Sequence, residues 1–491
     1  MFIVAHEWSR PHPNNCSPAI TSSVPSSQCQ PDTEPATFYT RLYEGRPDDA
    51  LKQRASQFLR AQIGQLSHTC ELPPSPQDLQ SWVRNASKLA TARYGAYLDC
   101  RKAGAPRRYF TNRAHALYFL RAVAPTKLVD GAWLYGLIRH RANPRFSGLV
   151  QTYLEELGEG VPGKNHVLLY RRLLARYGLD PVDDLDAEFY TQGLIQLALA
   201  CNAEDFLPEL IGFNLGYEQL PLHLLITAYE LNELGLDPYY FTLHVTVDNM
   251  DTGHARRAVQ AVVDNQPRLG NREDFWRRVR AGFQLSNAGI GTRQIIEGFD
   301  IEREVQRIFR RKSAAGHGAH SDFCRVAGRN VNDWLANPAD VPDFLLALQR
   351  AGWIKRGAHA AESRFWHLLQ GERAEMFGVF TGYELQTIHD WLRGAGAADG
   401  QAYAEPGPAA PGPRRPSFRI AARLASACSE LLFPHHPDGE LLDGDLQAFD
   451  HQLATQDETG QAMLLAEALS PSQHWTPAGL KATRLFCQRM R

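Results

Sequence analysis

One stretch of the sequence constrains the fold more than any other, FTLHVTVDNMDTGHA at residues 241–255. It carries two histidines and two carboxylates within eleven positions, namely His244, Asp248, Asp251 and His254. On an α-helix each residue advances about 100°, so the four side chains would fall within an arc of about 120° on one face. Such a face is costly to bury unless a partner satisfies it, and a metal ion would do so. We therefore predict one long helix through this stretch and on to Asp264, with metal ligands along one side.

The composition indicates a soluble globular protein with more than one structural unit. The chain has 491 residues, which is too long for one ordinary hydrophobic core and predicts two or three units. Hydrophobic residues make up 44% and charged residues 22%, values typical of globular proteins. The formal net charge of −2 lacks the basic excess of a nucleic-acid-binding protein, so we expect no nucleic-acid partner.

The cysteines and the apolar segments exclude several other classes. The eight cysteines are scattered and include no CxxC pair, so they predict neither a disulfide framework nor a zinc-finger or iron–sulfur site. No apolar run approaches the length of a membrane span, and the N-terminus lacks a charged region followed by a sustained apolar one. We therefore expect a cytoplasmic protein with no membrane partner.

The residue pattern predicts an all-α fold. Helix formers dominate, apolar positions recur at spacings of three and four, and the alternating runs typical of strands are few. Segments rich in Pro, Ser, Gly or Ala divide the chain. We predict a disordered segment at 1–36, a helical extension at 37–109, a helical domain at 110–290, a helical accessory domain at 291–394, a linker at 395–416 and a helical C-terminal tail at 417–491.

Two further segments supply candidate partners for the histidine-containing stretch. Glu156 lies near the end of the helical pattern FSGLVQTYLEELG, and His166 lies in the first turn of the next helix, after the break GEGVPGKN. Because Asn165 can serve as the N-cap of that next helix, Glu156 and His166 are expected at the facing ends of two helices. Glu218 lies in the strongly apolar segment GFNLGYEQLPLHLL, where Pro221 is expected to kink the helix just after it.

These residue types in one helical context are those of a non-haem iron site. Carboxylates are hard ligands that can bridge two cations, and imidazoles suit iron. Iron pairs in helical proteins are held by about six such residues from several helices. The candidates are Glu156, His166, Glu218, His244, Asp248 and His254. Taken singly, Glu156 also fits a solvated helix end, His166 a cap or packed side chain, and Asp248 part of a polar face.

Three segments resemble the iron-containing redox enzymes with a haem-oxygenase-like fold, known as haem-oxygenase-like diiron oxidases and oxygenases. They are LEELGEG…NH at 154–166, GFNLGYE at 212–218 and GLDPYYFTLHVTVDNMDTGHA at 235–255. The resemblance covers roughly residues 110–290, while GRNVNDWL, LQRAGWI, SRFWHLL and MFGVFTGYE resemble a long-chain subgroup with an extra helical C-terminal part. It implies a haem-oxygenase-like helical bundle with additional helical N- and C-terminal regions.

The resemblance also implies roles for individual residues. It implies that Glu156 and His166 are ligands from the early helices and that Glu218 is a bridging carboxylate from the middle helix. It implies that His244 and Asp248 are ligands from the last core helix. The family usually has a second histidine seven residues after the first in that last helix. This chain has Asp251 there, and its histidine follows three residues later at His254. We predict that His254 completes the ligand set, from a regular helix or through a π-bulge, with Asp251 as its replacement or supporting partner.

The function that the resemblance implies is that of an iron-dependent oxidoreductase. It would bind Fe(II), two ions per chain, and use O₂ as co-substrate to oxidise a small metabolite, amine- or amino-acid-derived, by N-oxygenation, desaturation or oxidative C–C cleavage. The predicted partners are a small-molecule substrate and an electron donor, and a homodimer is one option for the assembly. Four residues beside the site are candidates for holding a substrate carboxylate: Tyr239, Tyr240, Arg256 and Arg257.

Two other classes of function fit the same sequence. A metal-free or haem-type helical binding protein would direct Glu156 and Glu218 away from His244. A structural interaction protein would use the aromatic unit at 320–395 to bind a partner, although its tryptophans are also expected in a core. Anaerobic titration with Fe(II) would distinguish both classes from the iron enzyme.

Overall fold

The computed structural model describes residues 34–45, 47–67, 69–179, 185–247, 253–370, 374–394 and 443–490. Within these ranges the regular secondary structure is almost entirely helical, which confirms the predicted all-α class. The only sheet there has two antiparallel strands of two residues each, β1 (Arg325–Val326) and β2 (Arg329–Asn330). No helix in the described part of the chain is long and apolar enough to cross a membrane.

Two predicted segments fall largely outside the described residues. The segment predicted to be disordered, 1–36, is described only from residue 34, and helix α1 begins at Pro35. The predicted linker at 395–416 lies entirely outside, as does the beginning of the predicted tail, 417–442. The proposed domain boundaries therefore stay predictions.

Three helices form the N-terminal part of the described chain. They are α1 (Pro35–Glu44), α2 (Asp49–Gly64) and α3 (Leu79–Lys102), with a 3₁₀ turn at Pro76–Asp78. Asp48 is the N-cap of α2, because its side chain accepts a 2.7 Å hydrogen bond from the Leu51 amide. The buried residues of all three helices join the main hydrophobic core, so this extension is packed on the central helices.

Ten helices in the central part of the chain pack around two hydrophobic cores, the main one and a second one. They are α4 (Arg113–Ala122), α5 (Ala124–Lys127), α6 (Ser147–Glu156), α7 (His166–Arg176), α8 (Thr191–Cys201), α9 (Leu207–Tyr217), α10 (Leu222–Glu233), α11 (Tyr239–Val247), α12 (His254–Asn265) and α13 (Arg272–Leu285). Among them, α4, α7, α10 and α11 contribute to the second core. Short 3₁₀ helices lie between them at Ala132–His140, Pro144–Phe146, Gly158–Gly160 and Ala187–Tyr190. The predicted helix ends at Glu156 and His166 are confirmed.

The prediction of one long helix from residue 241 to Asp264 is wrong. α11 ends at Val247 and α12 begins at His254, after Gly253 in an extended conformation with φ −88° and ψ −166°. A residue with these dihedrals cannot continue an α-helix, whose values lie near about −63° and −42°. The continuous helical face that would carry all four polar side chains therefore does not form. Asp248 and Asp251 lie outside the described residues.

Pro221 separates two helices where a kink in one helix was predicted. α9 ends at Tyr217 with Glu218 as its C-cap, and Pro221 is the extended N-cap of α10 with φ −82° and ψ 143°. Proline has no amide hydrogen and disfavours helical dihedrals in the residue before it, so the chain leaves the helix here. Glu218 consequently lies at a helix end rather than in its middle.

The closest helix crossing in the central part joins α9 to α13 through two glycines. A Cβ atom on Gly212 of α9 would lie 1.9 Å from the Val279 carbonyl oxygen of α13. A Cβ atom on Gly282 of α13 would lie equally close, 1.9 Å from the Glu209 carbonyl oxygen of α9. Only residues without a side chain fit between backbones this close. This crossing sets the position of α9 and hence of Glu218 at its end.

The accessory part of the chain has a hydrophobic core of its own. Its helices are α14 (Thr292–Glu297), α15 (Ile301–Gly316), α16 (Val331–Leu335), α17 (Val341–Arg350), α18 (Arg364–Leu369) and α19 (Gly382–Arg393), with 3₁₀ turns at Pro338–Asp340 and Ala360–Glu362. Trp366 and Trp391 are buried in this core. Asp390 of α19 accepts a 2.9 Å hydrogen bond from the Ala114 amide in the first turn of α4, which ties the accessory part to the central one.

Three C-terminal helices pack back onto the central helices. They are α20 (Gly444–Thr455), α21 (Glu458–Ala468) and α22 (Pro477–Met490). Leu465 and Phe486 of these helices, and Leu469 directly after α21, belong to the main hydrophobic core. The Tyr153 hydroxyl of α6 donates a 2.5 Å hydrogen bond to the Leu469 carbonyl. The C-terminal segment is thus packed against α6 and contributes to the main hydrophobic core.

Candidate metal centre

The structure brings five of the six predicted ligand residues into one buried centre and adds one that was not predicted, Asp130. The residues form two groups, of which the first is Asp130, Glu156, His166 and His244 and the second is Glu156, Glu218 and His254. Within each group, one potential ligand atom of each residue lies within 4.8 Å of all the others. Glu156 belongs to both groups. The remaining predicted ligand, Asp248, lies outside the described residues.

A tight loop presents Glu156 and His166 to the centre from the facing ends of α6 and α7. Three consecutive residues of the loop have positive φ angles, 63° at Gly158, 51° at Glu159 and 80° at Gly160. A Cβ atom on Gly158 would lie 2.5 Å from the Asn165 nitrogen, so the loop closes on itself where only glycine fits. The close return of the chain brings His166 Nδ1 to 2.5 Å from Glu156 Oε2.

Asp130 and His244 face each other within the first group. His244 Nε2 lies 3.0 Å from Asp130 Oδ2, and His244 Nδ1 lies 2.8 Å from the Tyr240 carbonyl oxygen. Because a carbonyl can only accept, Nδ1 carries the proton that binds it, and in a neutral ring Nε2 then presents a lone pair to the carboxylate. The lone pairs of His244 Nε2 and Asp130 Oδ2 then repel each other, and a cation or a second proton between these two atoms would remove that repulsion. The Tyr240 hydroxyl donates a 2.6 Å hydrogen bond to the same carboxylate oxygen.

His254 joins the second group from the first position of α12. Its Nδ1 atom lies 2.9 Å from Glu218 Oε2 and 3.3 Å from Glu156 Oε1. On the other side of the ring, Nε2 lies 2.9 Å from Glu155 Oε2. Arg257, one turn further along α12, also binds Glu155. A carboxylate on the outer nitrogen is the usual means of orienting a metal-binding imidazole.

The local electrostatics favour the ionised form of Asp130, Glu155 and Glu156, because neighbouring groups lower the pKa of each. Burial alone would raise the pKa of Glu156, but His166 and His254 outweigh it and hold the pKa well below the usual value. Burial likewise opposes ionisation of Asp130, whereas Lys127 and His244 lower its pKa on balance. Burial also raises the pKa of Glu155, but the hydrogen bond with His254 and other polar contacts lower it to about 2. Ionised carboxylates are the form that binds metal.

The residues present fit a metal ion. His166 Nδ1 and Glu218 Oε1 are buried without a hydrogen-bond partner among the described residues, although His166 is close to Glu156. Buried polar atoms without partners are rare, and a ligand that they share would explain them. The donor set of carboxylate oxygens and imidazole nitrogens suits iron. Whether each residue binds the metal stays a prediction.

Asp130 was missed because it stands alone in the sequence. It lies in the apolar run LVDGAWL at 128–134, with no histidine or second acid within that run. The signal that could have found it is the one that identified Glu218, a single carboxylate among apolar neighbours. Gly131, which follows it, has a φ of 80°, and a Cβ atom there would lie 2.9 Å from Glu156 Cβ. This close approach places Asp130 beside Glu156.

Three of the four candidates for holding a substrate carboxylate make contacts within the protein. Tyr240 binds Asp130 and Arg257 binds Glu155, so both support side chains of the centre. The Tyr239 hydroxyl donates a 3.1 Å hydrogen bond to the Gly163 carbonyl in the loop before His166. Arg256 is exposed.

Comparison with known proteins finds one family model that matches part of the chain. Residues 117–287 match the family model described as iron-containing redox enzyme. The matched range includes every residue of the two groups, from Asp130 to His254. It agrees with the resemblance stated from the sequence and supports the haem-oxygenase-like class of the all-α bundle. Neither the curated proteins nor the solved structures include a significant match to the chain.

Proposed function

We propose that this chain, whose residues 117–287 belong to the iron-containing redox enzymes, holds two non-haem iron ions and uses them with O₂ to oxidise a small metabolite. The observation that carries the proposal is the position of Glu156 between two groups of potential ligands. One of its oxygens lies 2.5 Å from His166 Nδ1 and the other 3.3 Å from His254 Nδ1. A carboxylate with each oxygen directed to a different group has the arrangement expected of a bridge between two cations.

The charges of the centre favour two divalent cations over one. Asp130, Glu156 and Glu218 are all buried, with at most a few per cent of their surface exposed. Three buried negative charges are costly unless cations compensate them. Protonated His166 and His254 can do so in the metal-free centre, but a histidine that binds metal is neutral, so the metal ions must then supply the positive charge. The predicted ligand Asp248 adds a fourth negative charge. Two Fe(II) ions carry four positive charges and would neutralise all four carboxylates.

The neighbouring residues would orient the ligands and exclude water. When bound, ferrous iron supplies electrons for the reduction of O₂. The Tyr240 carbonyl keeps the proton of His244 on Nδ1, which leaves Nε2 free to bind a metal. Glu155 orients His254 in the same way from outside. The buried rings of Tyr170 and Tyr240 lie against each other, 4.7 Å between centroids, and form a water-excluding wall behind His244.

The substrate, the reaction and the partners belong to the proposal. The resemblance favours an amine- or amino-acid-derived substrate and N-oxygenation, desaturation or oxidative C–C cleavage as the reaction. The enzyme would work in the cytoplasm with an electron donor, without nucleic acid or membrane, and as a homodimer if its chains associate.

The alternative of a metal-free or haem-type binding protein is less well supported. That function requires Glu156 to point away from His244, yet the two residues lie in one group of ligand atoms within 4.8 Å. A haem-type site would also need an open space for the macrocycle at the histidine, whereas His244 has carboxylate and tyrosine neighbours. These contacts favour metal ions over a haem.

Anaerobic titration with Fe(II) tests the proposal. We expect about two irons per chain and a transient absorbing species when O₂ is added. The variant His244→Ala should lose at least one iron. Glu304→Gln is a control for changing a buried polar side chain outside the centre, because Glu304 is buried and pairs with Arg307. Absence of iron uptake, or uptake unaffected by His244→Ala, would contradict the proposal.

A further inference from the structure

The C-terminal helices contact the loop that presents Glu156 and His166. Arg484 of α22 donates a 2.9 Å hydrogen bond from Nη1 to the Gly160 carbonyl in the middle of that loop. A Cβ atom on Gly160 would lie 2.4 Å from the Leu480 carbonyl oxygen, so loop and helix touch through their backbones. The family match ends at residue 287, which means that this support comes from a segment outside the matched region.

Asn165 is the point where the two halves of the loop and the C-terminal segment meet. Its Oδ1 atom accepts a 2.9 Å hydrogen bond from the Leu168 amide, which makes it the N-cap of α7. Its Nδ2 group donates to the Leu157 carbonyl at 3.2 Å. The same group donates to His474 Nδ1 at 3.1 Å and to the His474 carbonyl oxygen at 3.3 Å. Asn165 and His474 have 0% and 1% of their surface exposed, so water does not replace these contacts.

The cap determines which atom of His474 carries the proton. Because Asn165 Oδ1 accepts from an amide N–H, the amide orientation is defined and Nδ2 must face His474 as a donor. His474 Nδ1 must then accept, which requires the neutral tautomer with its proton on Nε2. A ring with a proton on Nδ1 would direct two donors at each other. The interaction is therefore specific for an acceptor at this position.

We propose that His474 is a positioning residue for the iron centre, acting through Asn165 on Glu156 and His166. The inference rests on the proposed function, because it concerns how the ligands are held. Leu157 directly follows Glu156, and Asn165 directly precedes His166. By joining these two neighbours, the Asn165 side chain fixes the separation of the two ligands. His474 in turn fixes Asn165 from the opposite side.

A second contact between the same segments supports this arrangement. Trp475, next to His474, donates a 3.0 Å hydrogen bond from Nε1 to the Tyr43 hydroxyl of α1. Arg171 of α7 lies over the Trp475 ring, 3.7 Å from its centroid, and donates to the same hydroxyl at 2.8 Å. The helix that begins at His166 is thus held from one side by residues near both ends of the described chain.

Two nearly isosteric variants test the proposal in the full chain. His474→Leu removes the side-chain acceptor and leaves the backbone carbonyl of residue 474 in place. His474→Asn keeps a side-chain acceptor, because the Oδ1 atom of asparagine occupies about the position of histidine Nδ1. Both leave a similar cavity, so a difference between them reports the hydrogen bond. We expect His474→Leu to weaken Fe(II) binding by up to about 10-fold, the lower end of the effect of removing a direct partner of a metal ligand, because His474 acts through Asn165. His474→Asn should recover most of the affinity. Lys481→Ala, which breaks an outer ion pair with Asp450, is the control for changes in the segment itself.

Hydrogen exchange of the metal-free protein gives a second readout. His474→Leu should speed exchange of the Leu168 amide, whose acceptor is Asn165 Oδ1, while helices far from the loop keep their rates. A His474→Leu variant with wild-type iron affinity and exchange but a lower melting temperature would overturn the proposal, since His474 would then support only the fold. Equal weakening by His474→Leu and His474→Asn would also overturn it. Wild-type protein that binds no iron would contradict the proposed function. Hydrogen exchange at the Leu168 amide would then still show whether His474 holds the loop, independently of iron.

Discussion

The Tyr240 hydroxyl donates a 2.6 Å hydrogen bond to Asp130 Oδ2, the same oxygen that lies 3.0 Å from His244 Nε2. One oxygen thus receives a donor from Tyr240 and faces the histidine four residues further along α11. Since both Tyr240 and His244 lie on α11, the helix binds Asp130 through two of its side chains. A shift of α11 would therefore move the donor and the potential ligand together.

Removal of this donor should weaken iron binding without unfolding the chain. We expect Tyr240→Phe to lower the affinity of the first group for Fe(II) about 10- to 100-fold, because a buried ligand carboxylate loses the partner that orients it. Affinity can be measured by anaerobic titration. Tyr170→Phe is the matched control: its hydroxyl is equally buried but donates 2.5 Å to the Leu120 carbonyl. Equal losses in the two variants would show that general packing, and not the contact with Asp130, is responsible.

Asp130 belongs to one group only, so its removal should distinguish the two irons. We expect Asp130→Asn to reduce the stoichiometry from about two irons per chain to about one, since the amide has no charge and the second group keeps Glu156, Glu218 and His254. Iron content after anaerobic loading and desalting measures this. Glu156→Gln, which changes the shared residue, should lower the occupancy of both positions. If Asp130→Asn retains two irons of wild-type affinity, Asp130 is a neighbour of the centre and not a ligand.

The sequence allowed prediction of the residues of the centre where the chain signals them locally. Glu156 and His166 stand at helix ends that Gly and Pro mark, and Glu218 precedes a proline in an apolar segment. The shape of the centre could not be predicted in the same way. His254 reaches it from the first turn of a new helix, because the chain is extended at Gly253, and no periodicity of side chains announces such a break.

Long-range support was equally hidden from the sequence. The hydrogen bond between Asn165 and His474 joins residues 309 positions apart. Local pattern indicates that Asn165 can cap a helix, which the structure confirms, but it carries no information on what binds the other side of the amide. Asp130 illustrates the same limit, since its partners Tyr240 and His244 lie more than a hundred residues away.

The crossing of α9 and α13 predicts a large effect of a single methyl group. We expect Gly212→Ala or Gly282→Ala to lower the free energy of unfolding by about 1–3 kcal/mol or more, because each Cβ atom would lie 1.9 Å from a backbone carbonyl oxygen that cannot move away by itself. Urea denaturation of the metal-free protein measures this. The position of Glu218 depends on α9, so both variants should also weaken iron binding to the second group.

A glycine in an open helix provides the control for that experiment. Gly95 lies within α3, and a Cβ atom there would meet nothing within 4 Å. Gly95→Ala should leave stability unchanged or raise it by about 0.5–1 kcal/mol, because alanine loses less backbone entropy on folding. Destabilisation of the same size at Gly95 and Gly212 would show that the crossing is not as close as described.

His115 predicts how stability depends on pH. Burial lowers its pKa from 6.5 to about 4, while the ring accepts from Thr111 through Nδ1 and donates to the Ile296 carbonyl at 2.8 Å through Nε2. The folded pKa is below the unfolded one, so the unfolded chain takes up a proton first as the pH falls. Above about pH 6.5 the ring is neutral in both the folded and the unfolded chain, so its titration does not change the free energy of unfolding. Between about pH 6.5 and 4 the unfolded chain alone becomes protonated, and the free energy of unfolding falls by about 3 kcal/mol.

The variant His115→Gln isolates that contribution, because its side-chain amide can still donate to the Ile296 carbonyl but does not titrate. We expect it to be less stable than wild type at pH 7, through the loss of the 4.5 Å ring stack on Phe299, and to lose less stability on going to pH 5. Urea denaturation of the metal-free proteins at the two pH values gives both differences. His367→Gln serves as the control for replacing a histidine by glutamine, since His367 is exposed on α18. If His115→Gln and wild type lose equal stability over this range, other groups determine the acid sensitivity of the fold.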